Sequence, residues 1–528
     1  MDTLRSRLNY EPVELAFGTS GRRGKVVDLT HLEVYLNALA ELEYLQSLPV
    51  TEGGIQRADT FYFAADLRPS SDELLQAIVK AIVDAGMKPV NLGRIPTPAL
   101  AAFALSQNLG SIMVTGSHIP FDRNGYKTYS SRGELTKQQE APINEQVRQV
   151  RSRLYQEPWE QSAFDECGML KRGHQDLPPE HDDARAAYID RFTSFFAGST
   201  LKGKRLLVYQ HSAVGRDLLV EILERLGAQV VKAGRSDTFV PIDTENIDAA
   251  QLSVIQGLAD EAAPLHAVVS IDGDSDRPLV LGVDPGTGRV HFFGGDLVGM
   301  VVAEYLQADA VVVPISCNDA IDRGPLAAVL EPKTRIGSPF VISGMEAALT
   351  KGRKRVCGWE PNGGFLTGSP IARHGAILPP LLTRDAGLPI LGVLFAAEQA
   401  QLSVVDLFAR LPKRFSRAAL LKQFPRVTAL KIVDRFSPPA TAEAIRKDLG
   451  LFFTPALGFD SITHVDYTDG VRVLFANGEV AHVRPSGNAD ELRIYAVADT
   501  QSRADEIAAL GVAEPAGILR NMEKAVNG

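Results

Sequence analysis

FYFAADLRPSSDELLQAIVKAIVDAGMKPVNLG, residues 61–93, decides the fold. It opens on an apolar run and passes through the turn-rich LRPSS. It then enters a segment whose apolar residues Leu74, Leu75, Ile78, Ile82 and Val83 keep helical spacing until Gly86 closes it. KPVNLG (88–93) reads as a second strand, so the stretch predicts strand, loop, helix and strand, an α/β unit. Outward from it, PTPALAAFALSQN (96–108) reads as a second helix beginning with proline and SIMVTG (111–116) as a third strand. That strand runs into VTGSHIPFDRNGYK (114–127), where an apolar run meets a glycine, a serine, a histidine and a polar loop ending in a lysine. Ser117 falls just past the carboxyl end of the strand, the place where ligands gather in open α/β sheets.

The alternation recurs twice. KRLLVYQ (204–210), GRDLLVEILERLGA (215–228), QVVKAG (229–234), IQGLADEA (255–262) and HAVVSIDGDSDR (266–277) form a second unit. GDLVGMVVAEYLQA (295–308), AVVVPIS (310–316), GMEAALTKG (344–352) and KRVCGWEPNGGFLTG (354–368) form a third. Each delivers a polar loop at a strand end, which implies one cleft fed from three domains. After about residue 415 the pattern changes. DGVRVLFANGEVAHVRPSGNADELRIYAVA (469–498) alternates by twos around Asn-Gly and reads as an antiparallel hairpin of an α+β domain. The predicted architecture is α/β: three similar mixed α/β domains and a C-terminal α+β domain around a central cleft. The expected boundaries are 1–185, 186–294, 295–415 and 416–528. The charge- and proline-rich stretch 151–185 reads as a boundary or a surface insertion.

Composition narrows the function classes. The 528 residues, 45% hydrophobic and 23% charged, are enough for several cores. The net charge of −9 arises from interspersed acids and bases without a basic block, which argues against a nucleic-acid partner. Cys167, Cys317 and Cys357 lie far apart with no C-x-x-C pairing, so neither a disulfide framework nor a zinc site is indicated and a reducing cytoplasm fits. The first residues lack an apolar signal region, and the greasiest window, Leu297 to Ile315, is broken by Glu304 and Asp309; no membrane association is expected.

Four polar loops carry the chemistry. DGDSDR (272–277) places Asp272, Asp274 and Asp276 at alternate positions, so in an extended segment all three carboxylates face one side. Three converging anions repel unless a cation sits among them, and hard oxygen ligands imply Mg²⁺ or Ca²⁺. An EF-hand would need glycine and glutamate where the chain has Arg277 and Val283, which leaves Mg²⁺ over a solvated acidic turn. RPSGN (484–488), with Arg493 following, offers guanidinium, hydroxyl and glycine, the makings of a phosphate clamp or of an ordinary turn. FGTSGRRG (17–24) either steers phosphate through Arg22 and Arg23 or reverses the chain, and neither loop is a P-loop. GWEPNGGF (358–365) presents Glu360 and Asn362, which suit vicinal sugar hydroxyls or a solvated turn.

Taken in order, these loops resemble the α-D-phosphohexomutases, four-domain enzymes that move phosphate between O1 and O6 of a hexose. TGSHIP resembles the family's T-[AG]-S-H-x-P phosphoserine loop, DGDSDR its D-G-D-x-D-R metal loop, and RPSGN its last-domain phosphate loop; GWEPNGG is a variant of the commoner G-E-x-S-G-H sugar loop. The resemblance spans nearly the whole chain. It implies that Ser117 is the phosphoserine and that Mg²⁺ is held by a phosphoserine oxygen with Asp272, Asp274 and Asp276. Arg277 would lie beside the transferring phosphoryl and Arg23 nearby, with His118 and Lys127 assisting proton transfer or charge neutralisation. Glu360, Asn362 and Gly363 would hold the sugar, while Arg484, Ser486, Gly487, Asn488 and Arg493 would grip the phosphate that is not reacting.

The implied reaction passes through a hexose 1,6-bisphosphate, which also serves as activator. The implied enzyme is a cytoplasmic phosphoprotein of carbohydrate metabolism, a monomer or weak dimer acting on hexose phosphates. Asn362 and Gly364 stand where the sugar loop usually has serine and histidine, and NADE replaces the frequent T-E-P. Mannose phosphates are the first expectation, with phosphoglucomutase or phosphoglucosamine mutase activity as the alternatives within the family. Outside it stand a sugar-phosphate phosphatase with Asp272 as nucleophile and a non-catalytic sugar-phosphate binding protein.

Overall fold

The computed structural model of the protein describes residues 2–18, 20–173, 176–245, 247–486 and 490–527. The chain divides into two compact units, Met1–Leu306 with Asn362–Val405, and Gln307–Pro361 with Asp406–Gly528.

In the first unit, strand Thr60–Ala65 lies between Lys88–Arg94 and Ser111–Val114, parallel to both. It is buried on both faces, as a parallel strand covered by helices must be, and its Phe61 and Phe63 are fully enclosed. Helix Ser71–Asp84 packs Leu74, Leu75, Ile78 and Ile82 inward, but Val83, which shares the helical spacing, is 52% exposed. Strand Arg123–Ser130 then runs antiparallel to Ser111–Val114 and carries Arg22–Lys25 on its far edge. The polar loop expected to reach Lys127 is therefore shorter: Arg123–Ser130 is a paired strand. Its mixed sequence hides it because Tyr126 and Thr128 turn to a buried Glu41 on one face while Lys127 turns to the other.

The second sheet repeats this topology. Arg205–His211 lies between Gln229–Arg235 and Ala267–Ile271, parallel to both, and Pro278–Val283 returns antiparallel to Ala267–Ile271 with Val290–Phe293 beyond it. The Ser117 loop and the acidic loop thus occupy equivalent places, each joining the last parallel strand of its sheet to the antiparallel one. Strands Phe365–Thr367 and Leu381–Asp385 pair in the same unit.

The stretch 151–185 is only partly a connection. Helix Lys137–Tyr155 runs into it, and Phe164 and Leu170 are buried in the first core, because two large apolar side chains outweigh the surrounding charge. In the second unit, Ala310–Val312 pairs parallel with Val356–Trp359. A five-stranded antiparallel sheet runs in the order Phe415–Lys422, Glu491–Ala498, Val480–Pro485, Val471–Phe475, Ile462–Asp466, its core built on Phe424, Phe453, Phe459 and Phe475. The Asn-Gly hairpin forms as its spacing predicts, with Gly478 at φ +81°.

Candidate active site

Ser117 is the residue around which the first unit's polar groups converge. It is 3% exposed and sits at φ +52°, a left-handed conformation that costs a residue with a Cβ about 1–2 kcal/mol. The surrounding bonds hold it there. Its N–H donates to Thr115 Oγ1 at 2.7 Å, and Thr115 Oγ1 donates to Asp66 Oδ2 at 2.8 Å. Arg68, also fully buried, donates to the carbonyls of Ser117, Ile119, Pro120 and Arg123 at 2.6–3.0 Å and lies 3.9 Å over the Phe239 ring. Gly116 has no Cβ because one would stand 2.4 Å from the Arg68 guanidinium carbon.

The Ser117 hydroxyl donates to Asp272 Oδ2 at 2.8 Å and lies 3.4 Å from His118 Nδ1. Burial, reinforced by Arg277, drives the His118 pKa well below the ordinary imidazole value, so the ring is neutral and able to accept a proton.

The three aspartates do converge, but through a tight turn rather than an extended segment. Asp272 N–H bonds the Arg277 carbonyl at 3.0 Å, Ser275 takes φ +63°, and Asp272 Oδ1 accepts the N–H groups of Asp276 and Arg277 at 3.1 Å each. A hairpin between Ala267–Ile271 and Pro278–Val283 leaves too few residues for extended alternation. All three carboxylates are fully buried, which disposes of the solvated turn. One oxygen from each falls within 4.8 Å of the others.

Lys127 Nζ sits at 2.7 Å from both Asp274 Oδ2 and Asp276 Oδ2, and Thr97 Oγ1 donates to Asp274 Oδ2 at 2.7 Å. Arg384 approaches Asp276 Oδ2 from another side, through Nε at 3.1 Å and a terminal nitrogen at 2.9 Å. Burial opposes ionisation of Asp274, but Lys127 and Thr97 outweigh it and its pKa falls; Arg384 and Lys127 do the same for Asp276. Asp272, buried and facing two anions, is pushed well above the carboxylate range.

Asp274 Oδ1 and Asp276 Oδ1 are buried with no hydrogen-bond partner among the described residues. An all-oxygen set with free lone pairs, already attracting one ammonium, fits a hard divalent cation.

Arg277 stands 3.6 Å from Asp276 and 3.9 Å from Asp272. Arg23 is half-buried; burial, against the attraction of Asp274, pushes its guanidinium down to about 10, still charged at neutral pH. Its neighbour Arg22 is structural, fully buried against Glu41 at 2.6 Å and stacked over Phe17. Asn362 is buried, its Oδ1 accepting Gly364 N–H at 2.9 Å, and Gly363 takes φ +84°.

In the second unit Glu360 is buried and accepts from Ser338 Oγ at 3.2 Å, so it is not a solvated turn residue. Arg484 and Arg493 face each other directly across paired strands, each balanced by its own acid, Asp469 and Glu491, at 2.9 Å. Residues directly opposite on paired strands share a face, so both guanidinium groups project to the same side of the sheet. Ser486 N–H donates to the Glu491 carbonyl at 2.9 Å, while Gly487 and Asn488 lie outside the described residues.

Sequence reasoning missed Arg68, Asp66, Thr97 and Arg384. LRPSS read as a plain turn, although an Asp-x-Arg at a strand end was a usable signal; LLTRDAG around Arg384 carries none.

A buried serine hydroxyl bonded to the first of three clustered carboxylates, themselves paired with lysine and arginine, on two repeated mixed sheets, defines a phosphoryl-transfer enzyme of α/β class. Residues 14–154 match the phosphoglucomutase/phosphomannomutase α/β/α domain I, and residues 421–511 match that family's C-terminal domain. The chain is 37% identical to a phosphomannomutase of Sinorhizobium fredii over 94% of its own length and 98% of that protein. It is 38% identical to a phosphomannomutase of Salmonella muenchen over 93% of each. A putative phosphomannomutase from Thermus thermophilus shares the fold, with a TM-score of 0.67 at 20% identity over 98% of this chain and 100% of that one. So does an Aspergillus fumigatus N-acetylphosphoglucosamine mutase solved with GlcNAc-6P and magnesium, with a TM-score of 0.57 at 16% identity over 98% of each. The chain belongs to the α-D-phosphohexomutase family. It is a phosphomannomutase-like isomerase that interconverts hexose 1- and 6-phosphates. Among the described residues no helix is long and apolar enough to cross a membrane.

Proposed function

We propose that the hexose is mannose and that the enzyme works by phosphorylated Ser117, converting mannose 6-phosphate to mannose 1-phosphate through mannose 1,6-bisphosphate. The observation that carries this reading is the 2.8 Å bond from the Ser117 hydroxyl to Asp272 at the head of a buried acidic triad. The two relatives named phosphomannomutase support the choice of sugar.

Phosphoserine gives its phosphoryl to the free sugar hydroxyl: the bond from phosphorus to Ser117 Oγ breaks, one to the sugar oxygen forms, and the sugar hydroxyl proton passes by way of neutral His118 to the released Ser117 Oγ, with Lys127 adding positive charge. The bisphosphate turns over within the enzyme and its other phosphate returns to Ser117: the bond from phosphorus to the second sugar oxygen breaks, one to Ser117 Oγ forms, and the Ser117 hydroxyl proton passes by way of His118 to the freed sugar oxygen. Mg²⁺, held by Asp272, Asp274, Asp276 and a phosphoserine oxygen, would neutralise charge on the transferring group when bound. Arg277 and Arg23 add fixed positive charge, which together with positioning carries most of such catalysis. Glu360, Asn362 and Gly363 read the sugar, and Arg484, Ser486, Gly487, Asn488 and Arg493 grip the distal phosphate.

We retain four domains, at 1–185, 186–294, 295–415 and 416–528, each supplying one loop. The free thiols of Cys167, Cys317 and Cys357 suit a reducing cytoplasm, where the enzyme would act as a monomer or weak dimer.

Intact-mass measurement after incubation with mannose 1,6-bisphosphate tests the reading. A single phosphate adduct mapping to Ser117 is expected, with conversion of mannose 6-phosphate abolished in Ser117→Ala. A folded Ser117→Ala enzyme with wild-type turnover would reject it.

A further inference from the structure

Arg384 is 4% exposed and places Nε and a terminal nitrogen on one oxygen of Asp276, Oδ2, the atom Lys127 also holds. Both cations thus share a single oxygen, which leaves Asp276 Oδ1 buried and without a hydrogen bond among the described residues. The backbone that presents Arg384 is pinned on either side. Thr383 Oγ1 donates to Glu134 Oε1 at 2.6 Å and lies 3.3 Å from the Tyr129 hydroxyl. The Tyr188 hydroxyl donates to Asp385 Oδ1 at 2.5 Å. Because side chains alternate along a strand, these anchors on Thr383 and Asp385 project Arg384 to the opposite face.

The space for its side chain comes from Gly364. A Cβ there would stand 2.3, 2.6 and 2.9 Å from Arg384 Cδ, Cγ and Cβ, closer than real contacts allow. Gly364 is the position where the sugar loop departs from its commoner histidine form.

We propose that Arg384 is a positioning residue for the acidic triad, turning the Asp276 carboxylate so that Oδ1 stays open to a cation, and that Gly364 lacks a side chain because Arg384 occupies its place. The proposal rests on the reading of Asp272, Asp274 and Asp276 as the metal site. Partners that orient a metal ligand typically control affinity by about 10–100-fold.

The test is titration of the chelator-treated full chain with Mn²⁺, followed by electron paramagnetic resonance, for wild type, Asp274→Asn, Arg384→Met, Gly364→Ala and the Gly364→Ala/Arg384→Met double variant. Arg384→Met is expected to weaken Mn²⁺ by about 10–100-fold. Gly364→Ala should weaken it through displacement of the arginine, and should add nothing further once Arg384 is gone. Mn²⁺ affinity unchanged in Gly364→Ala, or losses that add in the double variant, overturn the proposal while leaving the metal site standing. Affinity unchanged in Asp274→Asn overturns the metal reading and the proposal with it. If Arg384→Met does not fold, Gly364→Ala decides alone, since it keeps every charge in place.

Discussion

Lys127 brings its ammonium between two fully buried carboxylates at 2.7 Å each, and it is itself 3% exposed. It neutralises Asp274 and Asp276, so its removal exposes a repulsion the fold otherwise hides. Breaking a buried ion pair from one side costs about 3–5 kcal/mol, because the remaining charge has no compensation. Lys127→Met is therefore expected to lower the urea midpoint strongly in chelator and to regain much of the loss in Mg²⁺. Paired unfolding curves check this; a deficit equal in the two conditions would show that no cation takes the place of the ammonium. Ser117 differs in kind: its strained backbone is held by Thr115, Asp66 and Arg68, none of which needs its hydroxyl, so Ser117→Ala should remove the chemistry and keep the loop.

At the level of elements, the site is built by two equivalent strand-to-strand loops meeting at close range. Gly273 marks the contact, since a Cβ there would fall 2.6 Å from the Ser117 carbonyl oxygen and 3.2 Å from the Phe239 ring. The acidic loop is also tied from its far side, by Val214 N–H to the Gly273 carbonyl and by Thr97 N–H to the Asp274 carbonyl, both at 3.0 Å. It has little freedom to retreat. Gly273→Ala should thus push the two loops apart, costing about 1–3 kcal/mol of stability as overpacking does. The effect on turnover should be larger, about 100-fold in kcat, because ångström displacements of reacting groups cost that much. Steady-state kinetics on the folded variant measure it. Near-wild-type kcat would mean that the loops need not touch during the reaction.

Across the whole molecule, acid should act on both units through one type of group. His211 in the first unit donates Nε2–H to the Ile271 carbonyl from full burial, and His482 in the second unit donates Nε2–H to the Asp469 carbonyl. Burial lowers each from 6.5 to about 4. Each folded ring then binds fewer protons than its unfolded counterpart between these values, so stability is complete above about pH 6.5 and is lost as pH falls towards 4. The loss is ~3 kcal/mol for each histidine. Urea midpoints at pH 7.5 and 5 should show this fall, and His211→Gln or His482→Gln should flatten it; an unchanged pH dependence in both variants would assign acid sensitivity elsewhere.

Local pattern was enough for much of this protein. The strand and helix order of 61–116, the second α/β unit and the Asn-Gly hairpin all follow from apolar spacing and turn residues, because those signals act between near neighbours in the chain. The loops at 117 and 272–277 were legible for the same reason, as clusters of unusual polar residues at strand ends. What local pattern could not supply was the partner of each charge. Lys127 looked like the end of a loop until strand pairing turned it towards aspartates 147 and 149 residues away. Arg22 and Arg23 are identical neighbours in sequence, yet strand alternation sends one to a buried glutamate and the other to the half-buried edge. Arg68 had only the Asp-x-Arg at its strand end to mark it, and Arg384 had no distinguishing context. A guanidinium becomes a loop clamp or a carboxylate positioner only through groups brought to it from distant segments, and burial then makes those contacts strong by removing the competing water.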